Sequence, residues 1–241
     1  MRLCQLFGIV TKVVLCSMLL AGARVRAAEP VDLAGSWQFR LDPGDVGIDE
    51  EWFNQDLPER ISLPGSLQEQ GFGEEPSLDT PWVGTIRHEQ WIKPRYEPYR
   101  RPDNFKVPFW LTPEKYYLGA AWYQRNVTIP DSWAGKRIVL SLERCHWVTT
   151  LWVDGKRVGS RESLSTPHEY DLTYHLTGDR HRLTLRVDNR LEYSVGRNAH
   201  SVTDHTQTDW NGIVGDLQLT ATDRVWIDNI QVSPDVEQKQ V

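Results

Sequence analysis

Val148-Thr-Thr-Leu-Trp-Val-Asp-Gly-Lys-Arg-Val-Gly159 decides the fold. Its first half, Val148 to Val153, is rich in β-branched and aromatic side chains, which suit a pleated, half-buried strand. Asp154-Gly155 then supplies the dipeptide that a tight hairpin needs, because both central residues of a type I′ turn carry positive φ. Lys156 to Gly159 reads as the return strand. The stretch predicts an antiparallel hairpin, and the same pattern spreads outward from it.

Upstream, Trp122-Tyr-Gln-Arg-Asn-Val-Thr-Ile129 reads as a strand that Pro130 ends. Arg137-Ile-Val-Leu-Ser-Leu142 puts Ile138, Leu140 and Leu142 on one face. Downstream, Arg182 to Val187 and Asp216 to Ala221 continue the alternation, and Val225 to Val232 is expected to close it. No window carries a helical period of adequate length. Many short strands separated by turns predict an all-β fold, an antiparallel β-sandwich of jelly-roll type. Leu33-Ala-Gly-Ser-Trp-Gln-Phe-Arg40 is expected to join it. Residues 42 to 118 break the rhythm. A long Pro- and aromatic-rich insertion, about 84–118, is too aromatic for a flexible linker, and long loops of this kind are often functional.

Arg2 and Lys12 precede the apolar run Val13 to Ala23, and Val25-Arg-Ala27 resembles a small-residue cleavage site. Residues 1–27 are therefore expected to be a secretory signal peptide, giving an exported protein, periplasmic or extracellular. A sandwich domain over 28–235 and a polar tail or linker start at 236–241 follow. Removing 1–27 takes Arg2, Lys12, Arg24 and Arg26 and no acid, so the remainder is more acidic than the whole chain at −6. That balance argues against nucleic acid or an anionic membrane as partner. Cys4 and Cys16 fall in the signal, which leaves Cys145 alone, expected as a buried strand thiol. The domain must be held by its own core.

One polar stretch stands out against these strands: His200-Ser-Val-Thr-Asp-His-Thr-Gln-Thr-Asp-Trp-Asn211. Hydrogen-bonding groups around an exposed aromatic suit a sugar, whose C–H face packs on a ring while its hydroxyls pair with amides and carboxylates. The same residues also fit a turn, with Asp209 as a cap and Asn211-Gly212 at positive φ, and Trp210 also fits a plug under the loop. His200, Asp204 and His205 do not have a metal-ligand spacing, and no metal or other cofactor is expected. Asp171, His175 and His181 flank strands and read as surface polar residues. Asn126-Val-Thr128 is a glycosylation sequon in mid-strand and reads as coincidental.

Gly119-Ala-Ala-Trp-Tyr-Gln-Arg-Asn-Val-Thr-Ile-Pro130, followed by Leu142-Glu-Arg-Cys-His-Trp-Val-Thr-Thr-Leu-Trp-Val-Asp-Gly-Lys-Arg-Val-Gly159, resembles the N-terminal sugar-binding domain of glycoside hydrolase family 2. Leu33 to Phe39, Leu63-Pro-Gly-Ser66, Pro167-His-Glu-Tyr-Asp-Leu172 and Trp210-Asn-Gly-Ile213 match the same pattern in order, over essentially all of 32 to 235. The resemblance implies a galactose-binding-like jelly roll that serves a catalytic barrel domain or chain. It also implies a retaining mechanism with two glutamates that the barrel supplies. This chain has no Asn-Glu dipeptide, the family's usual setting for the acid/base, and too few residues for a barrel of about 250. No catalytic residue is therefore expected in it. What the resemblance implies here is substrate binding by Asp209, Trp210, Asn211, His205 and Gln207, with Asp79 and Trp82 from a second turn. The expected partner is a carbohydrate, a β-galactoside or related glycan. A stand-alone exported carbohydrate-binding module without hydrolase activity is the alternative. The two differ in whether a barrel accompanies the chain.

Overall fold

The computed structural model describes residues 28–83, 91–108, 111–193, 196, 199, 202–204, 209–227, 230–234 and 236–238. Residues 1–27, where a signal peptide is expected, and part of the insertion lie outside these.

Among the described residues, eleven strands form two antiparallel sheets. They are β1 (Val31–Asp32), β2 (Gly35–Asp42), β3 (Glu59–Leu63), β4 (Gly65–Ser66), β5 (Ala120–Thr128), β6 (Arg137–His146), β7 (Val148–Val153), β8 (Lys156–Glu162), β9 (His168–Asp171), β10 (Arg180–Asp188) and β11 (Gly212–Thr222). The larger sheet runs β3-β2-β5-β10-β7-β8; the smaller runs β1-β11-β6-β9, with β4 paired to the start of β11. This is the expected all-β sandwich. The Asp154-Gly155 turn joins β7 to β8 with positive φ at both residues, 49° and 77°.

The core is the inner face of both sheets. Trp37, Phe39, Tyr123, Leu140, Leu151 and Leu185 are fully buried there, and Cys145 is buried with them. Burial pushes the Cys145 thiol well above its usual range. Alternation puts a second apolar layer on the outer face of the larger sheet. Trp122 of β5 and Trp152 of β7 lie there, 5.1 Å apart, and the segment after β2 covers them with Trp52 and Leu57. The Arg40 guanidinium sits 3.6 Å from the centre of a Trp52 ring, a cation–π contact.

Two expectations need correction. Val225 to Val232 is not a strand in its described residues: Val225, Ile227, Ile230 and Val232 are exposed, and no neighbouring edge takes them into a ladder. His181 is not a surface residue. It is 6% exposed, and its Nδ1 lies 2.6 Å from Asp154 Oδ2 across the β7–β10 pair. The described parts of the insertion coil in short 3-10 turns, Pro94–Arg100 and Pro102–Asn104, around a small cluster built on Trp91 and Val107.

Gly212, at the start of β11, has φ +140°, and a Cβ on it would lie 2.5 Å from the Gly65 carbonyl oxygen. Only glycine lets β4 approach that closely. Gly212→Ala is expected to cost about 2 kcal/mol in urea unfolding, since it meets both strain and a backbone clash. A loss under about 0.5 kcal/mol would show that the β4–β11 contact yields freely.

Candidate functional site

The polar residues 209–211 enter β11 at one end of the sandwich, beside the end of β6. There Gly212 pairs with His146, and the His146–Trp147 peptide bond is cis. Asp209 is 4% exposed. Its Oδ1 accepts the Trp210 N–H at 2.9 Å and lies 3.2 Å from His146 Nδ1. Its Oδ2 is buried and has no hydrogen-bond partner among the described residues. Burial, reinforced by the charge of Asp204, pushes the Asp209 carboxyl well above the usual carboxylate range; the Trp210 N–H works the other way and loses.

Asp204 is the hub that joins this loop to the second predicted turn. Its Oδ1 accepts the Asp209 N–H at 3.3 Å. Its Oδ2 accepts the Val83 N–H at 2.7 Å and the Tyr116 hydroxyl at 3.3 Å. Burial first, then Asp204, raises the Tyr116 hydroxyl far out of its usual range, so it stays a donor. Trp82 packs on Tyr116 with ring centres 5.0 Å apart, and Trp210 lies 5.3 Å from the His146 ring. Both tryptophans are half-buried. The fold thus brings Trp82, Asp209 and Trp210 into one cluster, linked through Asp204 and Tyr116.

The other candidates divide. Asp79 is exposed, with its N–H held by Ser77 Oγ and its carboxylate outside the cluster's bonds. His205 and Gln207 lie outside the described residues. Asn211 does not face a ligand: it is 0% exposed. Its Nδ2 donates to the carbonyls of Gly119 at 2.8 Å and Val187 at 3.3 Å, and its Oδ1 accepts the Tyr123 hydroxyl at 3.4 Å. Asn189 completes a clamp. Its Oδ1 accepts the Gly119 N–H, and its Nδ2 donates to the Tyr117 and Trp210 carbonyls. The two asparagines hold both backbone groups of Gly119 and tie the loop's root to the end of the insertion. Gln68 adds a third tie, donating to the Asp209 carbonyl at 3.1 Å.

Sequence reasoning missed His146 and Tyr116 as members of this cluster, and it took Asp204 only as part of the polar stretch, not as its hub. His146 carried the one available signal, a polar residue between two apolar strand runs.

A jelly-roll sandwich with carboxyls and tryptophans gathered at one end has the build of a carbohydrate-binding domain. The chain belongs to the glycosyl hydrolases family 2, whose sugar binding domain matches residues 31–223. It is 23% identical over 223 residues to a β-glucuronidase of Paenibacillus borealis, covering 86% of this chain and 31% of that protein. It is 24% identical over 212 residues to the β-galactosidase large subunit of Leuconostoc lactis, covering 84% and 31%. Among solved structures it resembles a β-glucuronidase of an uncultured Clostridium species, with a TM-score of 0.55 and 21% identity over 84% of this chain and 30% of that one. A Ruminococcus gnavus β-glucuronidase in complex with D-glucuronic acid gives 0.54 and 17%, over 83% and 30%. At these identities the structures show the fold. The chain spans about 31% of the length of these two curated relatives.

Proposed function

We propose that this chain forms one wall of the sugar site of an exported, β-galactosidase-like family 2 glycosidase. In this reading, O-glycosyl hydrolysis belongs to glutamates of a catalytic domain outside this chain. The observation that carries the reading is Asp209. A buried carboxyl with one oxygen unpartnered among the described residues, next to half-buried Trp210 and linked through Asp204 and Tyr116 to half-buried Trp82, is costly to keep in a fold and useful to a ligand with hydroxyls. Trp210 and Trp82 offer ring faces to the sugar, and Asn211 holds the loop from below. A neutral β-galactoside suits the cluster better than a glucuronide, because the Asp204 charge that already raises Asp209 disfavours a further carboxylate beside it.

Titrating the chain with methyl β-galactoside and methyl β-glucuronide, followed by the indole NMR signals of Trp210 and Trp82, tests this. The galactoside is expected to shift both signals at about 1 mM, the weak range for a site with only one of its walls. The glucuronide is expected to act only at higher concentration. Signals indifferent to both, in a folded chain, would overturn the reading.

A further inference from the structure

The outer face of the larger sheet is only half covered. Trp122 and Trp152 lie under the segment after β2, whereas Asn126 and Thr128 of β5 and Arg180 and Arg182 of β10 form an open polar floor. The cleft above that floor measures about 620 Å³, within the usual range for a small-ligand site. One wall is Phe53 with Asn54; the other is the Asp154-Gly155 turn.

The walls are fixed. Phe53 lies nearly parallel to Trp152, with ring centres 5.3 Å apart and an interplanar angle of 5°. Asn54 leans on Gly155 so closely that a Cβ there would meet its Oδ1 at 2.1 Å. Asp154 is held by His181 and by the Arg182 N–H at 2.8 Å, and the Arg182 guanidinium binds Asp56 and the Gln55 carbonyl. Arg180 differs from all of these. It is exposed and lines the cleft, and its side chain makes no hydrogen bond or ion pair among the described residues; the side chain of Asn126 beside it makes none either. A free guanidinium, a free amide and a hydroxyl thus stand on one floor beside an aromatic wall, in a chain whose net charge is −6.

The geometry points to a second carbohydrate site in this cleft, one that takes a carboxylated sugar unit. The planar guanidinium of Arg180 matches a carboxylate with two parallel hydrogen bonds. Asn126 and Thr128 pair with ring hydroxyls, and Phe53 packs on the C–H face of the ring. The cleft is remote from Asp209. Arg180 begins β10, and Asp188 ends it beside the Asn211 clamp. Eight residues of strand at ~3.3 Å each separate the ends by roughly 26 Å. The proposal therefore does not rest on the sugar reading of Asp209.

Calorimetry of the full chain with a dimer of galacturonic acid tests it, with galactose and inorganic phosphate as controls. The acidic dimer is expected to bind at about 1 mM or tighter. Arg180→Gln and Asn126→Ala, both at exposed positions, should each weaken it by about tenfold, whereas Asp209→Asn should leave it unchanged. Three results would overturn the proposal: no heat with the dimer, equal binding of inorganic phosphate, or loss of binding in Asp209→Asn with Arg180→Gln unaffected.

Discussion

Asn211→Ala is expected to lower the unfolding free energy by about 3 kcal/mol, the largest effect of any single polar change at the site. The amide is fully buried and serves three groups at once: the Gly119 and Val187 carbonyls and the Tyr123 hydroxyl. Alanine leaves all three in the interior without that partner, at about 1–3 kcal/mol for each group left unsatisfied. Asn211→Asp should do no better, since it replaces a donor with a carboxylate facing two carbonyls. Urea midpoints with unchanged slopes would measure the loss. A loss below about 1 kcal/mol would mean that water enters and replaces the amide.

Asp209→Asn is expected to act in two directions. It should weaken the binding of a β-galactoside by at least about tenfold, because a carboxyl hydroxyl both donates and accepts, whereas the amide nitrogen that replaces it only donates. It should also stabilise the fold by about 1 kcal/mol at pH 8, the size of a typical stabilising substitution at a functional position. The pH dependence fixes the sign. Burial and Asp204 raise the Asp209 carboxyl in the folded chain, so the folded state holds this proton more tightly than the unfolded one. Stability from this group is full below about pH 4, the usual carboxylate range, and falls as pH rises through the raised value. The variant lacks that fall. The gap between the two proteins should therefore open from about pH 4 upward and close below it. Parallel stability profiles would show that Asp209 is not held neutral.

The sandwich was legible in the sequence because its cues are local. Alternation at Arg137–Leu142 and the turn chemistry of Asp154-Gly155 depend on residues one or two apart. Val225 to Val232 carried the same alternation and forms no strand in its described residues, because a strand also needs an edge to pair with, and composition does not record one. The cluster was legible only in part. Asp209 and Trp210 stood out as polar and aromatic residues beside a strand, but their neighbours Tyr116 and His146 come from distant positions that only the folded sheets unite. Asn211 looked like a ligand group for the reason that makes it a clamp: an amide pairs as readily with backbone carbonyls as with hydroxyls. Burial decided between the two, and neither spacing nor residue type reports it. His181 was misread in the same way, as a surface polar residue flanking a strand, because its partner Asp154 sits across the sheet.

The clamp on Gly119 also bears on how such domains diverge. Asn189 and Asn211 sit at the two roots of the loop, and both are anchored to the same glycine inside the sandwich. Chain between those roots adds closure entropy only slowly as it lengthens. Changes of length between Arg190 and Trp210 are therefore expected to leave the two sheets beneath the anchors intact, provided that Asp204 and Asp209 keep their buried contacts.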